Sequence, residues 1–235
     1  DLINPNPINL KEIMRERGIS HVFHLAGQPL LGEAMNDPFS TMKLNILGTT
    51  GVLEACRLLE HDKKGTIEGI VVGSSINAYN GSKELPYLES SPLIVDHQFP
   101  YETSILGMDS AAVTYGRTFK LPIGIARLSN IYGPDDKPRR LVPVAISKIL
   151  NDEEMILENN GEVRRSFLYL DDAVEGMIKM GELARTLDMF GEVFNIGSKK
   201  PNKTREVVEI LIEIAGRDYK KLRMKSRLRR ERIVK

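Results

Sequence analysis

The sequence predicts an α/β fold: a parallel sheet wound with helices, followed by a smaller second lobe. Three observations predict it. Short apolar runs that end in small residues, HVFHLAG (His21–Gly27), GIVVGSS (Gly69–Ser75) and LPIGIAR (Leu121–Arg127), read as buried strands. Long runs of helical periodicity separate them, and strands spaced by such helices form parallel βαβ units. Polar and small residues stand directly after each strand, at the carboxyl ends where sheets of this kind bind ligands.

Taken in chain order, INLKEIMRERG (Ile8–Gly18) is a helix with a glycine stop, feeding the strand His21–Leu25. DPFSTMKLNILGTTGVLEACRLLE (Asp37–Glu60) is a long helix, and the strand Gly69–Ser75 ends in serines. A polar, proline-containing loop runs to about Gln98. A helix covers roughly Tyr101–Phe119, and the strand Leu121–Arg127 follows. After Gly133 the pattern loosens. RLVPVAISKIL reads as a helix, MILENNGEVRRSFLYLDDAVEGMIKMGELA as strand, turn and helix, and EVFNIGS as a strand. TREVVEILIEIAG (Thr204–Gly216) is an amphipathic helix with Thr204 as its expected N-cap. The expected organisation is a first domain over residues 1–133 and a second lobe over 134–235, interleaved with it.

Composition narrows the function class. The 33 basic and 32 acidic residues nearly cancel, so the whole chain does not select nucleic acid or a membrane surface as partner. No stretch reaches the roughly 18 apolar residues of a membrane span. The single cysteine, Cys56, excludes an internal disulfide and fits a reducing compartment; within an apolar helical run it reads as a small core residue. The tail KKLRMKSRLRRERIVK (Lys220–Lys235) is strongly basic and reads as a solvated edge rather than a nucleic-acid arm.

HVFHLAGQ, DPFSTMKLNILGTTGVLEAC, VVGSSINAY, PYETS, RLSNIYGPDD, RRSFLYLDDAVEGM and FNIGS occur in this order along nearly the whole chain. Together they resemble the nucleotide-sugar epimerase/dehydratase branch of the extended short-chain dehydrogenase/reductases. The resemblance implies a Rossmann-like doubly wound parallel sheet that binds NAD or NADP, and a smaller α/β lobe that binds a nucleoside-diphosphate sugar. It implies transient oxidation of the sugar, often at C4, then epimerisation, dehydration or reduction. It also implies a homodimer through helices 37–60 and 101–119, a cytoplasmic location, and no metal.

The chemistry accounts for the residue types. Removing hydride from a sugar carbon requires removing the hydroxyl proton, and a tyrosinate can take it. Free tyrosine has a pKa of about 10, which a nearby cation lowers. By resemblance the tyrosine is Tyr101 and the hydroxyl partner is Ser75; an aromatic packed on the sheet and a strand-end cap are the ordinary alternatives. The resemblance places Asp1 and Leu2 at the adenine. Ala26, Gly27 and Gln28 fall at the nicotinamide-ribose and phosphate face, Asn45 on the supporting helix, and Tyr101 at the nicotinamide ribose. Asn130 and Arg165 match diphosphate ligands, the planar guanidinium suiting phosphate oxygens; a surface ion pair with Asp171 or Asp172 is the alternative for Arg165.

Three departures stand out. Ile105 replaces the lysine expected four residues after Tyr101, so no ammonium is supplied on that helix face. Glu102 and Asp109 carry the wrong charge, and Lys83 and Lys120 would have to be brought round by the fold. Ile76 follows Ser75 where dehydratases of the family carry an acid, which makes dehydration the least supported reaction. The Gly-rich phosphate loop is absent, and Gly48 and Gly51 in LGTTG read as packing glycines inside a helix. The chain is therefore expected to lack roughly 50 to 60 residues before Asp1, leaving the strand His21–Leu25 at a sheet edge.

Overall fold

The computed structural model describes residues 2–62, 66–80, 82, 85–93, 95, 98–134 and 140–225. The chain divides into two compact units, Asp1–Leu128 with Val174–Ile196, and Ser129–Ala173 with Gly197–Lys235. They interleave along the chain, which returns to the first unit for residues 174–196.

The first unit is built on a four-stranded parallel sheet of order β1-β2-β3-β8: β1 (His21–His24), β2 (Gly69–Ser75), β3 (Ile123–Leu128) and β8 (Phe190–Ile196). β2 and β3 are central and read as near-continuous apolar runs because both of their faces are covered. Ile70, Val72, Ile123 and Ile125 pack with Leu53, Cys56, Leu59, Tyr101, Ile105 and Met108. Val71 and Ala126, one residue out of phase, pack instead with Met177, Met180 and Ala184 of α7 (Leu170–Leu183) and the turn beyond it. The two-residue period of a strand thus sorts one sequence run into two cores.

Helix α1 (Pro7–Glu16) starts at Asn6, whose side chain accepts from the Asn9 amide, and the chain turns at Gly18 with φ +61°. The long helix expected over Asp37–Glu60 has a break in its ladder. Asp37 is its N-cap, accepting from the Ser40 amide at 3.0 Å, which holds its carboxyl below the usual range. α3 (Pro38–Met42) then passes into a π-helical segment, Lys43–Gly48, before α4 (Thr49–Asp62) resumes. Helix α5 (Pro100–Phe119) packs against α4 and ends at Lys120 in the left-handed region. Gly48 and Gly51 are packing glycines: a Cβ on Gly51 would lie 2.3 Å from Pro5 Cβ, and one on Gly48 would lie 3.0 Å from Leu2 O.

In the second unit β4 (Asn130–Tyr132) pairs in parallel with β7 (Phe167–Tyr169). β5 (Met155–Glu158) pairs in parallel with β10 (Leu222–Lys225), so the start of the basic tail is a strand. Residues 226–235 lie outside the described residues. Helices α6 (Leu141–Leu150) and α8 (Thr204–Ala215) close a small core of Ala145, Ile149, Met155, Leu157, Val208 and Tyr219. Thr204 is not the cap of α8. Lys203 holds that place, with its amide donating to Glu206 Oε2 at 2.8 Å, and the Thr204 hydroxyl donates to Gly161 O at 3.0 Å.

Among the described residues no helix is long and apolar enough to cross a membrane, and no group of three or more His, Cys, Asp or Glu could hold a metal. Cys56 is fully buried, and burial pushes its thiol up to about 12, which makes it a poor nucleophile.

Candidate active site

The loop after β1 carries Ala26, Gly27 and Gln28, and Asn45 holds it. Asn45 lies in the π-helical segment and is 1 % exposed. Its Oδ1 accepts from the Gln28 amide at 2.8 Å, and its Nδ2 donates to Gln28 O at 3.1 Å. The same Nδ2 donates to Ser104 Oγ at 2.9 Å, and Ser104 donates to Tyr101 O at 2.7 Å. One buried side chain therefore ties the loop after β1 to the first turn of the tyrosine-bearing helix. Such widened turns are often found at functional sites. Gly27 fits closely here: a Cβ would lie 3.1 Å from Asn45 Oδ1 and would press on that side chain. Leu2 stands over Gly48 of the same segment, and Asp1 lies outside the described residues.

Tyr101 is buried, 8 % exposed, and shares the apolar core with Ile105, 6 % exposed, and Met108. Among the described residues no ion pair or cation–ring contact reaches Tyr101. Lys120 packs its ammonium over the Phe190 ring, 5.4 Å from the centroid, and Lys83 lies outside the described residues. Glu102 accepts from Asn80 Nδ2 at 2.6 Å.

Asp109, two turns along α5 from Tyr101, is fully buried and takes Arg127 of β3 in a two-pronged pair at 2.9 and 2.7 Å. It also accepts from Ser74 Oγ at 2.8 Å. Burial works against the charge of Arg127, but the Asp109 carboxylate outweighs it and holds the guanidinium above its ordinary range. Arg127 lies over the Tyr79 ring at 4.5 Å, and Tyr79 donates to Asn195 Oδ1 at 2.9 Å. This group pins the end of β2 against α5. Ser75 sits at that end. Its Oγ accepts from the Asn77 amide at 3.2 Å, so it caps the short 3-10 turn Ile76–Tyr79 while its own proton remains to be donated.

The second unit holds a cavity of about 250 Å3 whose lining includes Asn130, Tyr132, Arg140, Arg165, Phe167 and Thr204. Asn130 Nδ2 donates to Ser166 O at 3.1 Å, which orients the side chain, and among the described residues no ion pair joins Arg165 to Asp171 or Asp172. Ser166 donates to Ser198 O at 3.1 Å, a structural tie. Arg140 was not foreseen; its signal is the Arg-Arg pair directly before α6. Ser104 was also missed. Ser104 is three residues from Tyr101, and a helical count could have found it.

A parallel sheet wound with helices, with small residues at its strand ends, is of the Rossmann type. The chain belongs to the NAD dependent epimerase/dehydratase family, whose sequence profile matches residues 1–197. It is 29% identical over 214 residues to the dTDP-D-glucose 4,6-dehydratase of Dictyostelium discoideum, covering 88% of this chain and 47% of that protein. It is 27% identical over 224 residues to a trifunctional UDP-glucose 4,6-dehydratase/UDP-4-keto-6-deoxy-D-glucose 3,5-epimerase/UDP-4-keto-L-rhamnose-reductase of Arabidopsis thaliana, covering 93% and 31%. Among solved structures, the UDP-glucuronic acid 4-epimerase of Bacillus cereus, in complex with UDP-glucuronic acid and NAD, superposes with a TM-score of 0.80 at 25% identity. That match covers 96% of this chain and 67% of the epimerase. The chain thus spans half or less of the length of these two curated relatives.

Proposed function

We propose that the protein containing this chain is an NAD(P)-dependent nucleotide-sugar epimerase or related oxidoreductase that oxidises its sugar transiently. Family membership and relatives named for UDP- and dTDP-sugars support the reading. The observation that carries it is the Asn45 bridge, which fastens Gln28 and the first turn of α5 into one frame. The wall Ala26–Gln28 fits the nicotinamide side of a dinucleotide, with Gly27 bare and the backbone of Gln28 held in place. Position 105 gives the ribose no hydrogen bond.

NAD or NADP, when bound, is the hydride acceptor. Tyr101 takes the sugar hydroxyl proton, and Ser75 donates to the same oxygen. Asn130 and Arg165, with Arg140, hold the diphosphate, where a guanidinium offers paired donors. Leu2 faces the adenine. Ile76 leaves no acid for the leaving hydroxyl, so epimerisation or reduction is favoured over dehydration. The π-helical segment before α4 exposes Leu47 and the end of α5 exposes Phe119, and we place a homodimer contact along α4 and α5 there. Cys56, reduced and buried, fits a cytoplasmic protein.

Ile105 favours a second reading, in which the sugar nucleotide is bound but turned over slowly or not at all. The test is to join a Gly-rich N-terminal segment of the family to this chain, with Ile105 and with Ile105→Lys. Sugar conversion and enzyme-bound NADH are then followed over UDP-, GDP-, dTDP- and CDP-sugars, and nucleotide-sugar binding by calorimetry. Turnover in the lysine chimera, with binding weakened about tenfold or more by Arg165→Ala, supports the first reading. Binding that never leads to NADH in either chimera supports the second, and no binding of any sugar nucleotide overturns both.

A further inference from the structure

His24, the last residue of β1, is 4 % exposed and has no part in the chemistry above. Its Nε2 lies 2.9 Å from Thr49 Oγ1, and Thr49 is fully buried. The Thr49 hydroxyl in turn lies 2.6 Å from Asn45 O. Counting protons fixes the direction of this chain. A carbonyl only accepts, so the single hydroxyl proton of Thr49 is committed to Asn45. Thr49 therefore accepts from the histidine, and the Nε2 of His24 carries the proton.

The same count extends through the asparagine. Ser104 spends its proton on Tyr101 O, so it accepts from Asn45 Nδ2, and Asn45 Oδ1 is left for the Gln28 amide. The bonds run in one sense, from His24 through Thr49 to the backbone of Asn45. From the Asn45 side chain they run on to Gln28 O, and through Ser104 to Tyr101. The line starts at the foot of the loop 25–28 and returns to its end. Asn45 and Thr49 bracket the place where the π-helical segment rejoins α4.

We propose that His24 and Thr49 are positioning residues: the Nε2–H tautomer of His24, relayed by Thr49, sets the π-helical turn that aims Asn45 at Gln28. The proposal rests on the reading of Ala26–Gln28 as the cofactor-side wall, but the linkage can be measured without cofactor. Removing the Thr49 hydroxyl leaves the buried His24 N–H without its acceptor and takes one hydrogen bond from the Asn45 carbonyl, and both losses fall on the turn between them.

The experiment is amide hydrogen exchange by NMR on the chain as given, comparing Thr49→Val, of the same shape, with Thr49→Ser, which keeps the hydroxyl. Exchange at Gln28 is expected to speed up about tenfold in Thr49→Val relative to Val72 and Ile125 in the central strands, and to recover in Thr49→Ser. The native imidazole should show the Nε2–H tautomer in its nitrogen shifts. An Nδ1–H tautomer overturns the proposal, and it can be read even where Thr49→Val does not fold. Equal acceleration at Gln28, Val72 and Ile125, or none at Gln28, overturns it as well. NAD titration of the Gly-rich chimera separates the two ideas. No binding there overturns the cofactor reading of the wall, while the exchange data still decide the linkage.

Discussion

Position 105 holds a buried isoleucine one helical turn from Tyr101, in the same apolar cluster. A lysine there would bring an ammonium near the phenol, and a one-unit fall in a tyrosine pKa is worth about 1.4 kcal/mol. The buried pair Asp109–Arg127 is the more sensitive residue-scale feature. Asp109→Ala leaves a buried guanidinium without its carboxylate and frees Ser74 at the end of β2. A loss of about 3–5 kcal/mol is expected in urea unfolding, against little measurable change when an exposed pair such as Lys179–Glu175 is broken. His24 adds a pH dependence. Burial lowers its pKa below the usual histidine value. The unfolded chain therefore binds the proton first, and this contribution to stability is present above about pH 6.5 and is lost as pH falls below it. The stability difference between the native chain and His24→Gln should shrink as pH drops through that window, and a difference that stays constant would remove His24 as its source.

Among the elements, close approach is set by missing side chains. Gly116 of α5 lies against Gly191 of β8, and a Cβ there would come 2.3 Å from the Gly191 nitrogen. Gly69 meets Gly181 of α7 in the same way, its Cβ position lying 2.0 Å from Gly181 O. Backbone cannot yield as a flexible side-chain end can. Gly116→Ala is expected to cost at least about 1–3 kcal/mol in urea unfolding, despite the gain in helix propensity. Gly176→Ala on α7, whose Cβ would find its first neighbour only at 4.0 Å, should be neutral or mildly stabilising and serves as the control. The break at Lys43–Gly48 belongs to this scale too. Nothing in the apolar period of residues 37–60 marks it, because the face toward the core continues through the extra residue; the hydrogen bonds of Asn45 and Thr49 reveal it.

For the whole molecule the exposed edge of the main sheet matters most. β1 pairs on one side only, with β2, and among the described residues no strand lies on its other side. Phe23 is 42% exposed and Leu25 is 55% exposed, so the edge is apolar as well as unpaired. The chain as given is expected to self-associate with rising concentration in analytical ultracentrifugation. Phe23→Lys should reduce that association, since a charge on an edge strand deters strand addition. A native chain that stays monomeric at all concentrations would show that the edge is protected. A dimer unaffected by Phe23→Lys but broken by a charge at Leu47 would instead point to the α4–α5 surface.

The sequence by itself determined the parallel sheet, its three first strands, the helices around them and the family, because alternation and periodicity are local and the motifs are short. It also located Tyr101, Ser75, Asn130 and Arg165 relative to their elements. Tertiary structure decided what pattern cannot carry. It chose which chain segments return to which unit, so that residues 174–196 complete the first sheet after a detour through the second unit. It brought Asp109 to Arg127 across 18 residues and Asn45 to Ser104 across 59, where no periodicity links the partners. It sent Lys120 to Phe190 rather than to Tyr101. Burial and hydrogen-bond direction are set by neighbours distant in sequence, and a linear reading of residue types does not contain them.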